Sequence, residues 1–171
     1  MRRRTLALAF ALVPVLALAL TACGDDTAND ADAPDEVTCA TVGDADLAEW
    51  LDEDVEVGDG EPFVGWTTCA STGEAADLEA LWQTQPAGGT LADLADAQGL
   101  SGLEQVDATL ADGTEAVVAT GDYGGQERVR VLAVVGDTWV VSEVRAVFLA
   151  DGTFDVERAT SAATSIAEAH A

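Results

Sequence analysis

Strand-like segments separated by short turns dominate the sequence between residues 63 and 149. They are rich in valine, which is typical of strands, and residues typical of turns, such as Gly136-Asp137, separate them. Six segments have this character: Phe63–Ser71, Leu78–Gln83, Leu103–Thr109, Glu115–Thr120, Gln126–Val135 and Thr138–Leu149. Because short glycine-containing turns join strands that run in opposite directions, neighbouring strands should pair antiparallel.

Three helices are predicted around these strands. Asp44–Leu51 places three large apolar residues on one face, at spacings of three and four. Thr90-Leu91-Ala92-Asp93 has the pattern of a capping box, and Gly99 is a natural stop for the helix that follows it. A last helix should run over Phe154–Glu168. The sequence therefore predicts an α+β fold in which one mostly antiparallel sheet packs against a few helices in a single domain.

The first 22 residues have the features of a signal peptide. Three arginines, Arg2 to Arg4, precede an uncharged apolar run of 15 residues, Leu6–Leu20, which is shorter than the roughly 20 residues that span a bilayer. The run ends in Leu20-Thr21-Ala22-Cys23, which resembles the lipobox of bacterial lipoproteins. This resemblance implies cleavage before Cys23, a diacylglycerol on its sulfur and acylation of the new amino terminus. The alternatives are an ordinary secretory signal peptide and an uncleaved anchor.

After a signal peptide of residues 1–22, the chain divides into two parts. Residues 23–36 begin with the lipidated cysteine and then contain six acids and no large apolar residue, so they predict a disordered acidic tether. Residues 37–171 are long enough for a single α+β domain.

The charge of the chain excludes several classes of function. From Cys23 onward, four arginines stand against 32 acids, a formal charge of −28, and there is no lysine. A chain this acidic repels nucleic acid, so no nucleic-acid partner is expected. Without lysine, neither a phosphate-binding loop of the usual type nor a Schiff base can form.

The two cysteines left after acylation of Cys23 are Cys39 and Cys69. Outside the cytoplasm such a pair is expected to form a disulfide. Closing this loop of about 31 residues would stabilise the fold by about 3–4 kcal/mol. Zinc binding is the alternative, but two cysteines with His170 as the sole histidine cannot supply the usual four ligands. We therefore expect a disulfide, no metal and no other cofactor.

The last two predicted strands form a hairpin whose register can be deduced from the sequence. Gly136-Asp137 lies between them, and glycine stands first, as a type II′ turn requires. In this register Arg128 faces Arg145, and Arg130 faces Glu143. One face of the hairpin is then apolar and belongs to the core, and the other carries the three arginines.

Arg128, Arg130 and Arg145, with Trp139 on the same face, are the candidate binding site. Two arginines directly opposite each other repel, unless an anion lies between them, and guanidinium groups suit carboxylate or phosphate. One interpretation is a local salt-bridge network, with Trp139 covered by another element. The other is a site for a small anionic ligand or an acidic partner.

No catalytic residues are predicted. A serine–histidine triad would need His170, which lies next to the last residue of the sequence and is a poor platform for a general base. The densest acidic run, Asp52–Glu61, fails as an EF-hand because Val57 and Phe63 stand where glycine and glutamate are required. We interpret it as a solvated loop, and loose binding of a divalent cation is the alternative.

A second resemblance concerns the segment between the two cysteines. Cys39, a short helix with Leu47 and Leu51, and then Trp66-Thr67-Thr68-Cys69 resemble the paired-cysteine layout of small lipoprotein domains of unknown function in actinobacteria. Several of those domains resemble PsbP-like α/β/α sandwiches. The resemblance implies an extracytoplasmic binding or accessory role and carries no catalytic residue.

Together these features predict a membrane-anchored extracytoplasmic lipoprotein, held to the lipid bilayer through acylated Cys23. We expect a non-catalytic binding or accessory module for a protein partner or a small ligand. The alternatives are an accessory or catalytic role in cell-envelope carbohydrate chemistry, and a purely structural surface lipoprotein.

Overall fold

A computed structural model describes residues 39–73, 76–147 and 152–171 of the chain. The helices are α1 (Asp44–Leu51), α2 (Leu91–Gln98) and α3 (Val156–Glu168). The strands are β1 (Glu56–Val57), β2 (Glu61–Phe63), β3 (Trp66–Thr72), β4 (Leu78–Pro86), β5 (Glu104–Thr109), β6 (Glu115–Tyr123), β7 (Gln126–Val135) and β8 (Thr138–Ala146). The predicted signal peptide, the lipidated Cys23 and the acidic tether lie outside the described residues.

The strands form one eight-stranded sheet, as predicted for an α+β domain. Its order is β1-β3-β4-β8-β7-β6-β5, and β2 pairs with β3 beside β1. Every pairing is antiparallel. Strand β8 comes to lie between β4 and β7, so residues far apart in sequence meet in the middle of the sheet.

Helices cover both faces of this sheet. Helices α1 and α3 bury their apolar sides on one face, where Trp82, Val131 and Ile166 belong to the larger core. Helix α2 covers part of the other face, where Leu94 packs with Leu132 in a smaller apolar cluster. No helix within the described residues is long and apolar enough to span a bilayer.

Helix α2 begins and ends as its sequence predicts. The hydroxyl of Thr90 accepts a hydrogen bond from the backbone N–H of Asp93, and the carboxylate of Asp93 accepts one from the backbone N–H of Thr90. Gly99 ends the helix with φ of 59°, a conformation that glycine adopts without strain. Such an N-cap stabilises a helix by about 1 kcal/mol.

The predicted strand Phe63–Ser71 is in fact two strands, β2 and β3, joined by the turn Val64-Gly65. The preceding acidic run also contributes strand β1, which pairs with β3. Strands of two and three residues are too short to show an alternating pattern in the sequence, so local reasoning missed them.

The disulfide between Cys39 and Cys69 is present, with the two Cα atoms 5.8 Å apart. Both cysteines are buried. The bond ties the segment before α1 to the middle of β3.

Candidate functional site

The hairpin of β7 and β8 has the predicted register. Arg128 lies opposite Arg145, and Arg130 lies opposite Glu143. At the turn between the strands, Gly136 has φ of 57°, in agreement with the first position of a type II′ turn. Val131 points to the larger core, so the three arginines share the opposite face of the sheet. We call this side of the sheet, with Arg128, Arg130, Glu143 and Arg145 of the hairpin and Glu79 of β4, the arginine face.

Glu143 lies between two of the arginines. Its carboxylate oxygens contact Nη1 of Arg128 at 3.0 Å and Nε of Arg130 at 2.5 Å. Glu143 and Arg128 are only 6% and 9% exposed, so this ion pair is largely removed from water. The repulsion between the arginines is therefore relieved in part by a carboxylate of the protein itself.

Arg145 binds a different carboxylate, that of Glu79. Its Nε donates to Glu79 at 2.6 Å, and one of its Nη atoms contacts the same oxygen. Glu79 comes from β4 and lies directly opposite Arg145 in the sheet. Glu79 could not be predicted as part of the site, because nothing in the local sequence indicates that β4 pairs with β8.

Further contacts hold the guanidinium groups in place. Arg128 donates to the backbone oxygen of Tyr123 at 3.0 Å, and its guanidinium carbon lies 5.0 Å from the centre of the Tyr123 ring. Arg130 contacts the backbone oxygen of Gln98, at the end of α2, at 3.4 Å. Among the residues that the structure describes, none provides a hydrogen-bond partner for the buried Nε of Arg128 or for that of Arg158 on α3. The arginine face is thus built of fixed charges rather than free side chains.

Trp139 lies on the same face but outside the charged cluster. Its indole N–H donates to the backbone oxygen of Gly89 at 3.1 Å, and its ring stacks on Trp66 at a centroid distance of 6.3 Å. The segment before α2 covers it, so it is 8% exposed. The structure therefore separates Trp139 from the three arginines with which the sequence analysis grouped it, and gives it a packing role.

A small pocket opens between the arginines. It has a volume of about 180 Å³ and is lined by Leu81, Gln83, Arg128, Arg130, Val141, Glu143 and Arg145. This is below the roughly 300–1,000 Å³ of pockets that enclose drug-sized ligands. It has room for a small group such as a carboxylate or a phosphate. Three arginines against Glu79 and Glu143 leave a formal charge of +1 here, in a chain whose net charge is −25.

The acidic run Asp52–Glu61 does not form a single loop. Glu53 binds Arg158 of α3 at 3.1 Å and accepts a hydrogen bond from the backbone N–H of Leu78. Burial raises the pKa of Glu53, and these two contacts lower it in part. Within the described ranges, no three histidine, cysteine or acidic side chains are grouped so that they could hold a metal ion.

His170 packs against the end of α3. Its Nδ1 lies 2.9 Å from the backbone oxygen of Ile166, and burial lowers its pKa. The imidazole ring therefore contacts the last turn of its own helix.

Comparisons with models of protein families, with characterised proteins and with solved structures find no match to this chain.

Proposed function

We propose that this chain is an extracytoplasmic lipoprotein, anchored to the membrane through acylated Cys23, whose domain is a non-catalytic binding module. The main evidence for the anchor is the sequence of the leader. Basic residues are followed by a short apolar run and then by Leu20-Thr21-Ala22-Cys23. The Cys39–Cys69 disulfide supports the extracytoplasmic location, because disulfides are rare in reducing compartments.

The arginine face is the proposed binding site, and its ligand is a small anionic group or an acidic segment of a partner. Arg145 supports this proposal, because its side chain is 30% exposed and lines the pocket. A guanidinium has five N–H donors, and the contacts with Glu79 use only two of its three nitrogens. Arg145 therefore has donors left for an external carboxylate or phosphate.

The carboxylates of the arginine face favour binding over catalysis. Glu143 contacts two arginines and Glu79 contacts a third. A carboxylate held in this way is suited to fixing guanidinium groups, and Glu143 is only 6% exposed, whereas a general acid or base needs access to its substrate. A role in envelope carbohydrate chemistry is the second candidate, and a purely structural lipoprotein is the third.

Substitution of Cys23 by alanine tests the anchor. We expect Cys23→Ala to appear in the soluble fraction or as an unprocessed precursor, because two or three acyl chains are lost and nothing replaces them. Cell fractionation with immunoblotting measures this directly, and Cys23→Ala should leave the melting temperature of the domain unchanged. A wild-type chain that is itself mostly soluble and unacylated would contradict the anchor.

Substitution of Arg145 by alanine tests the binding site. Titration with acetate and with inorganic phosphate, followed by NMR of the arginine Nε–H signals, should give weak binding to the wild type, with a Kd of roughly 1 mM. Arg145→Ala should weaken that binding by about fivefold or more.

Arg158→Ala is the matched control for this titration. Arg158 is also paired with one glutamate and similarly exposed, but it lies on α3. Its removal should leave the binding unchanged. Equal affinities of wild type and Arg145→Ala for both anions would remove the proposed site.

A further inference from the structure

The turn between β2 and β3 combines two features that do not favour folding in water. Phe63 and Val64 are 65% and 84% exposed. Val64 has φ of 48° and Gly65 has φ of 85°, the conformation of a type I′ turn. Asparagine or aspartate normally fills the position of Val64, since a β-branched residue is strained in the left-handed region.

The tip of this hairpin also carries no charge. Residues 62–66 are Pro-Phe-Val-Gly-Trp, in a chain in which 23% of residues are charged. Glu61 lies behind the tip, opposite Thr68. Trp66 is half-buried where the tip joins the sheet. The tip thus has an apolar end, then an aromatic residue and then polar residues. Proteins that contact a bilayer place apolar, aromatic and polar residues in this order from the hydrocarbon core to water.

The position of the tip matches the way the chain is anchored. Cys39 is the first described residue after the tether, and its Cα lies 5.8 Å from that of Cys69. Cys69 is three residues along β3 from Trp66, so Cys39 and Trp66 are separated by at most about 16 Å. The sixteen residues from Cys23 to Cys39 can span at most about 55 Å. Trp66, at the base of the tip, therefore lies within about 16 Å of Cys39, and the intervening chain is long enough for the tip to reach the bilayer.

We propose that the tip, Phe63 and Val64, inserts into the interface of the bilayer as a second contact beside the lipid anchor. This inference rests on the proposed membrane anchoring. Once the domain is tethered, insertion is effectively intramolecular, so a small apolar contact suffices. Transfer of two exposed apolar side chains out of water drives it. The contact would hold the domain in one orientation, with the tip toward the membrane.

The test uses the chain from Cys23 to Ala171, which contains the whole described domain and its disulfide. The thiol of Cys23 is coupled to a maleimide lipid in phosphatidylcholine vesicles, and backbone hydrogen exchange is followed by mass spectrometry. Chemical coupling imposes the anchor, so the result does not depend on whether cells acylate Cys23. Failure of the tip to insert in this experiment would not affect the test of the lipid anchor with Cys23→Ala. Failure of that anchor test would likewise not affect the result on vesicles.

On vesicles, exchange in residues 61–67 should slow about tenfold if the tip is inserted for nine-tenths of the time. Exchange in β5, at the far edge of the sheet, should not change. The double variant Phe63→Ser, Val64→Asn should lose the slowing. The control Val106→Ser, Val147→Asn, at sites that are 57% and 54% exposed, should keep it.

Three results would overturn the proposal. One is unchanged exchange in residues 61–67 on vesicles, and the second is slowing that persists in the Phe63→Ser, Val64→Asn variant. The third is a dimer that forms without vesicles and is lost in the Phe63→Ser, Val64→Asn variant. The tip would then contact a second copy of the chain rather than the bilayer.

The single variant Val64→Asn separates insertion from misfolding. It should raise the melting temperature, since asparagine tolerates the left-handed conformation, while weakening the slowing on vesicles. A lower melting temperature would overturn the claim that the tip is strained in water.

Discussion

Substitution of Glu143 by alanine should destabilise the domain by about 3–5 kcal/mol, the range typical of a buried ion pair that loses one partner. The reason is that Arg128 and Arg130 both lose their carboxylate, and Arg128 is only 9% exposed. The guanidinium of Arg128 would keep the backbone oxygen of Tyr123 as its hydrogen-bond acceptor, without a negative charge to offset its burial. Urea unfolding followed by tryptophan fluorescence measures the change.

Glu79→Ala is the matched control for this variant. The pair of Glu79 and Arg145 lies on the same face, but its side chains keep 27% and 30% of their exposure. Solvent-exposed pairs contribute about 0–1 kcal/mol, and this pair is closer to that case than the Glu143 pair is, so Glu79→Ala should have the smaller effect. Equal losses in the two variants would show that burial does not set the importance of the Glu143 pair.

Loss of the Cys39–Cys69 disulfide should reduce the free energy of unfolding by about 3–4 kcal/mol, because the unfolded chain regains the freedom of a loop of about 31 residues. The variant Cys39→Ala, Cys69→Ala should show this loss in urea unfolding. Dithiothreitol should lower the melting temperature of the wild type and leave that of the variant unchanged. Two thiols that alkylate freely in the untreated folded protein would contradict the disulfide.

The parts of the fold that could be predicted depend on local chemistry. Gly136-Asp137 selects a tight turn, and a tight turn fixes the register of every pair in the hairpin, including Arg128 with Arg145. The same holds for α2, where Thr90 and Gly99 mark the two ends through hydrogen bonds made within a few residues. In each case the determining contacts lie close together in sequence.

The parts that were missed depend on distant contacts or on very short elements. Glu79 meets Arg145 only because β4 pairs with β8 across 66 residues of sequence. Trp139 was assigned to the correct face, but its partner Gly89 is 50 residues away, so its separation from the arginines could not be predicted.

The first residue of α3 was also predicted inexactly. The predicted start of α3 at Phe154 was two residues early, because the side chain of Asp155 accepts a hydrogen bond from the N–H of Arg158 and caps the helix there. Phe154 is buried just before the helix, and Val156, at its first position, is 45% exposed.

Intact mass spectrometry of the protein extracted from membranes tests the central proposal most directly. The proposal predicts a chain that begins at Cys23, carries the mass of a diacylglycerol and further acylation at its amino terminus, and is two hydrogens lighter than the reduced form because of the Cys39–Cys69 bond. A chain without acyl mass, or one whose first residue is not Cys23, would contradict it.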